Sequence, residues 1–230
     1  MFISDNLAGI EKNIAAACVR SGRQRGQVTL VTVSKNQTIE RMLEAYAAGV
    51  RVFGENRVQE LAAKMDLLPG DIEWHMIGTL QRNKVKYIVG KVKLIHSVDS
   101  VRLAEAISKE AGKLGIVQDI LVEVNVAGEE TKQGVGITQA EALVHAICGL
   151  PGLKVRGLMT IAPYVVNGEE NRPYFAKLKQ LSVDIAAKSV DNVNMDKFRL
   201  LSMGMTGDYI AGVEEGADFI RIGTGIFNVT

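Results

Sequence analysis

Eight short runs rich in β-branched and apolar residues recur along this chain, and helix-spaced stretches separate most of them. The first, VTLVTVSK (residues 28–35), leads into Ile39, Met42, Leu43 and Tyr46, an i, i+3, i+4, i+7 stripe. VRVFGEN (50–56), IEWHMIG (72–78), KLIHSVDS (93–100), DILVEVN (119–125), LKVRGLMTIAP (153–163), FRLLSMG (198–204) and DFIRIG (218–223) continue the series. Helices are expected over 57–65, from about Gln81, along Leu103, Ile107, Ala111 and Leu114, over 140–147, through Phe175, Leu178 and Ile185, and over 207–215. Leu7, Ile10, Ile14 and Cys18 predict one more helix before the first strand. Strands alternating with helices, without hairpin signals, require a parallel sheet. A single α/β domain over residues 1–230 is therefore expected, a closed (β/α)8 TIM barrel with an extra N-terminal helix. A doubly wound open sheet is the alternative, weakened because no Gly-x-Gly-x-x-Gly follows the first strand.

Charge and composition narrow the function classes. The net charge of +1 gives no general attraction to nucleic acid or to a membrane surface. RNKVKYIVGKVK (82–93) is locally basic and reads first as a solvated helix leading into a strand, with anion binding as the lesser option. Cys18 and Cys148 are far apart and lack metal-ligand spacing, so they read as small buried residues in a reducing compartment. Asp5, Glu11 and Lys12 interrupt any signal-peptide core, and no run is long enough to span a bilayer. A cytoplasmic protein is expected.

In parallel barrels the active site lies at the C-terminal ends of the strands. Those ends present Lys35, Asn56, residues 75–78, residues 97–99, Asn125, Met159 and Thr160, residues 202–204 and residues 221–225. Asp99 or Ser100, and Thr206, read better as helix caps than as reactive groups. SMGMTGD (202–208) and RIGTG (221–225) combine glycines, hydroxyls and helix starts, the materials of a phosphate site after the last two strands. The alternative is that these glycines only turn tightly. Asp208 argues against an anion directly on its helix end and is expected to face away.

Lys35 ends an apolar strand, across the mouth from that phosphate site on this reading. An amine with the ordinary pKa near 10.4 is almost wholly protonated at pH 7, whereas desolvation would free its lone pair. Lys35 is thus either a Schiff-base lysine or a cation reaching for phosphate or solvent. An aldehyde carrying a phosphate satisfies both ends of such a site, and pyridoxal 5′-phosphate (PLP) is that molecule. Arg221, beside the glycines, can only donate hydrogen bonds. Facing the pyridine nitrogen it would keep that nitrogen unprotonated and the ring a poor electron sink; binding the phosphate instead is the other option.

The segments LVTVSKNQ, FGENRVQE, WHMIGTLQRNK, IHSVDS, VNVAGEETKQG, GLMTIAP, LSMGMTGD and RIGTGIF occur in order across nearly the whole chain. With them the chain resembles the pyridoxal phosphate homeostasis proteins, which share the barrel of the alanine racemase N-terminal domain. The resemblance implies a PLP imine on Lys35 and phosphate contacts from Ser202, Gly223 and Thr224. It also implies Arg221 near the ring nitrogen, with Asn56 and His75 lining the pocket. Thr206 stands where the family often has serine and keeps the hydroxyl.

Two functions follow. One is a PLP-binding protein that regulates or supplies the cofactor without committed turnover and hands it to apo PLP-dependent enzymes. The alternative is an amino-acid racemase-like enzyme. Racemisation needs a second acid/base on the opposite face of the cofactor. In the fold's enzymatic relatives that group is a tyrosine from an added β domain, for which this barrel leaves no room. Without that domain a monomer is expected, since two-domain relatives complete their site with a partner subunit. A cofactor-free Schiff-base aldolase is a third option.

Overall fold

The computed structural model describes residues 2–188 and 198–228. Helix α1 (Ile3–Arg20) buries Ile3, Leu7, Ile10, Ile14, Ala17 and Cys18, the predicted stripe. Then follow strands β1 (Thr29–Val33), β2 (Val52–Glu55), β3 (Glu73–Met76), β4 (Leu94–Val98) and β5 (Gln118–Asn125). Strands β6 (Val135–Gly136), β7 (Leu153–Met159), β8 (Leu200–Met205) and β9 (Phe219–Ile222) complete the set. The helices between them are α2 (Ile39–Ala47), α3 (Val58–Met65), α4 (Val101–Leu114), α5 (Ile137–Cys148), α6 (Arg172–Lys188) and α7 (Tyr209–Glu214), with α8 (Thr224–Phe227) after β9.

The sheet runs β4-β3-β2-β1-β9-β8-β7-β5, and a β4–β5 pairing closes it into an eight-stranded parallel barrel. This is the expected (β/α)8 fold. The two-residue β6 pairs only with the end of β5, through Val124 and Val135, inside what the sequence presents as a plain polar loop. The segment after Gln81 is also not an α-helix. Residues Arg82–Tyr87 form 3₁₀ turns, where Val85 alone is buried and four polar or charged residues leave no apolar stripe to hold a longer helix.

Two apolar cores result. The larger lies between the outer strand faces and the helices, and includes Cys18 and Cys148. The smaller plugs the barrel interior with Leu94, Leu121 and Met159 against Leu200 and Phe219. Side chains two apart on a strand share a face. The next inward positions toward the C-terminal mouth are therefore His96, Glu123, Ile161, Ser202 and Arg221, a mostly polar floor on an apolar plug. Among the described residues no helix is long and apolar enough to cross a membrane.

Candidate functional site

Lys35 stands two residues past β1 on a backbone held from below. The Ser34 carbonyl accepts from Gln37 N at 3.0 Å and from Lys64 Nζ at 2.7 Å. Lys64 also pairs with the buried carboxylate of Glu55, which accepts from Ser34 Oγ at 2.9 Å and from Asn56 N at 2.9 Å. Asn36 takes a left-handed φ of 60°, which turns the chain away immediately after the lysine. The Lys35 side chain itself is exposed.

Lys35 and Asn56 open on a cleft of about 510 Å³, lined also by Arg57, Ile77, Gly78, Thr79, Glu123, Thr131, Lys132, Gln133 and Ile161. Gly78 is required there, because a Cβ would lie 2.4 Å from the Asn56 carbonyl oxygen. Asn56 Oδ1 is buried without a hydrogen-bond partner among the described residues. Thr131, Lys132 and Gln133 come from the loop that β6 folds back, and Gly134 at φ 102° permits that return. Asn125 closes the same loop, accepting from Gly128 N at 2.9 Å and donating to Glu129 O at 2.8 Å.

His75, Ser202 and Arg221 are not in the cleft lining; they form a buried relay beneath it. Arg221 Nη2 donates to Thr160 O at 2.8 Å and Nη1 to Ser202 Oγ at 2.5 Å. His96 Nδ1 lies 2.8 Å from Ser202 Oγ, and its Nε2 lies 2.8 Å from His75 Nδ1. His75 Nε2 reaches Glu73 at 3.2 Å. Because arginine can only donate, one direction satisfies every member: Arg221 to Ser202, to His96, to His75, to Glu73. His96 is then neutral. Burial, with the charge of Arg221 beside it, holds His96 well below its ordinary pKa. Burial pulls Arg221 down to about 10 against the opposing pull of Glu123 and Asp208, so it stays charged at neutral pH.

Gly223 and Thr224 sit on the rim after β9. Gly223 packs so closely on β1 that a Cβ would lie 3.2 Å from Val33. Barrel closure pairs β9 with β1, so the expectation that this glycine loop faces Lys35 from across the mouth is corrected: the two are neighbours. Thr206, read from sequence as a helix cap, instead places its hydroxyl 3.1 Å from that of Thr224. Asp208 occupies the α7 cap position and turns inward, accepting from Met205 N at 2.6 Å and from Asn171 Nδ2 at 2.7 Å. Ser100 caps α4 without a side-chain hydrogen bond.

Glu123 and His96 are absent from the residues singled out by sequence. The available signal was period two: each follows an inward leucine, Leu121 or Leu94, by two positions. Burial and the nearby Asp99, opposed by Arg221, push Glu123 up to about 7. Among the described residues no group of three or more His, Cys, Asp or Glu is placed to hold a metal ion.

The alanine racemase N-terminal domain family model matches residues 6–230. A pyridoxal phosphate homeostasis protein of Aquifex aeolicus is 47% identical over 97% of this chain and 96% of its own length. Its Escherichia coli K12 namesake is 34% identical over 98% and 95%. The PipY protein of Synechococcus elongatus PCC7942, solved with PLP bound, is 35% identical with a TM-score of 0.82, covering 98% of this chain and 100% of that one. An alanine racemase from Corynebacterium glutamicum, 13% identical with a TM-score of 0.71 over 99% of this chain and 62% of its own, shares the fold.

Proposed function

Because the chain belongs to the pyridoxal phosphate homeostasis protein family, we propose that it binds pyridoxal 5′-phosphate in the cleft at Lys35 and serves PLP homeostasis. The observation that carries this reading is the adjacency of an exposed amine after β1 and a glycine–threonine rim after β9. PLP bears its aldehyde and its phosphate arm on neighbouring ring carbons, so neighbouring strands suit it better than opposite ones. Asn56 Oδ1 supplies a buried acceptor without a partner among the described residues.

When bound, the cofactor supplies an aldehyde that condenses with a primary amine. Lys35 provides that amine, and the Glu55–Lys64 pair fixes the backbone from which it reaches. Gly223 and Thr224 take the phosphate, with the Thr206 hydroxyl beside them. Ser202 orients Arg221 from below, with His96 and His75 behind it in the same relay; Arg221, which can only donate, would discourage protonation of the ring nitrogen. An unprotonated ring is a weak electron sink, which favours holding and handing over the cofactor above racemisation. Acceptors are apo PLP-dependent enzymes, met by a monomer in the cytoplasm.

The test is borohydride reduction of PLP-treated protein followed by peptide mass mapping, beside Lys35→Ala. The reading expects a pyridoxyl label on Lys35, and no absorbance of a bound imine in the variant. A label elsewhere would overturn it. Incubation with single-enantiomer amino acids in deuterated water checks the racemase alternative, which requires sustained α-proton exchange.

A further inference from the structure

We propose that Glu123 is the proton donor and acceptor for joining an aldehyde to Lys35 and for releasing it again. The proposal rests on the reading of Lys35 as the attachment point.

Glu123 is 5% exposed, yet its carboxyl has no hydrogen-bond partner among the described residues and lines the same cleft as Lys35. β5 carries it on the rigid barrel wall rather than on a loop. The charged groups around it are Asp99 past the end of β4, Arg221 on β9, and the cleft cations Lys35, Arg57 and Lys132; His96 on β4 is neutral. Burial and Asp99 outweigh Arg221, so the group sits at about 7 and both of its forms are populated at neutral pH. That is the optimum for a group that must both give and take a proton. The Asn56 amide and the Thr79 and Thr131 hydroxyls lining the cleft are far too weakly acidic for the task.

The step balances without an oxidant or reductant. Once its ammonium proton has passed to water, the Lys35 lone pair forms the C–N bond as the carbonyl π pair moves to oxygen, and one N–H proton passes to that oxygen. Protonated Glu123 then delivers its proton to the resulting hydroxyl, and the C–O bond breaks with its electron pair to leave as water. The nitrogen lone pair closes the C=N bond, and the remaining N–H proton returns to the Glu123 carboxylate. Hydrolysis runs the same steps in reverse.

The test is stopped-flow mixing of PLP with ligand-free protein, following imine absorbance in wild type, E123Q, D99N and K35A, with borohydride-trapped product weighed at the end point. Glu123→Gln is expected to load about 10²-fold more slowly, the lower end for general acid–base catalysis, and to reach the same one-label end point. The wild-type to E123Q rate ratio should be largest in mild acid and shrink as pH rises through about 7. Asp99→Asn should move that decline to lower pH. Equal rates for wild type and E123Q at every pH overturn the proposal. Should E123Q fail to fold, the D99N profile decides, and an unmoved profile is equally fatal. A wild-type label away from Lys35, or undiminished adduct in K35A, defeats the attachment reading instead, so the two failures are distinguishable.

Discussion

The Nζ of Lys64 donates to the carbonyl oxygen of Ser34 at 2.7 Å, so a buried lysine on one helix holds the peptide unit that leads into the exposed Lys35. Glu55, fully buried, neutralises it. Removing one member of a buried pair leaves the other charge uncompensated. Lys64→Met is therefore expected to destabilise the fold by about 3–5 kcal/mol. K64M/E55Q should recover a good part of that loss, as read by urea unfolding midpoints. Equal stability of K64M and wild type would show that the pair does not hold this segment.

Glu123 makes stability depend on pH with a defined sign. Its carboxyl sits at about 7 in the fold against 4.5 as its ordinary value. The folded state thus binds the proton more tightly. The associated stability is fully present below pH 4.5 and is lost as pH rises through about 7. The loss amounts to at most about 3 kcal/mol. Thermal melts from pH 4 to 8 should show wild type declining relative to Glu123→Gln across that window. Parallel curves would mean that Glu123 ionises as an ordinary carboxyl.

His96 is expected to stay neutral wherever the protein is folded, because burial and the Arg221 charge oppose its protonation. In NMR of ¹⁵N-labelled protein its ring signals should pass unshifted through the range near pH 6.5 where an ordinary histidine titrates. They should show protonated Nε2 and bare Nδ1, the tautomer that the Arg221-to-Glu73 relay demands. The opposite tautomer would break the chain of donors at Ser202.

Gly78→Ala places a methyl 2.4 Å from the Asn56 carbonyl and 2.6 Å from its Cα, backbone atoms that cannot rotate away. A cost of about 1–3 kcal/mol is expected from overpacking. The displaced Asn56 should also weaken PLP binding, measured by spectral titration. Wild-type affinity in a folded G78A protein would remove Asn56 from the site.

Local sequence determined the strand–helix alternation, the parallel sheet it requires, and the place of Lys35, Asn56, Gly223 and Thr224 at strand ends. Those features depend on neighbours a few residues apart, where periodicity and turn chemistry are legible. The tertiary structure alone decided which groups meet. A strand covered on both faces reads as a continuous apolar run, so period two put Glu123 on the face of Leu121 but could not tell which face turns inward, and Glu123 passed as one polar residue in a buried strand. Closure of the barrel sets β9 beside β1 rather than opposite it, and brings Arg221, Ser202, His96, His75 and Glu73 into one file from four strands. The Lys64–Glu55 clamp likewise joins a helix to a strand whose inward and outward faces only the packed barrel defines.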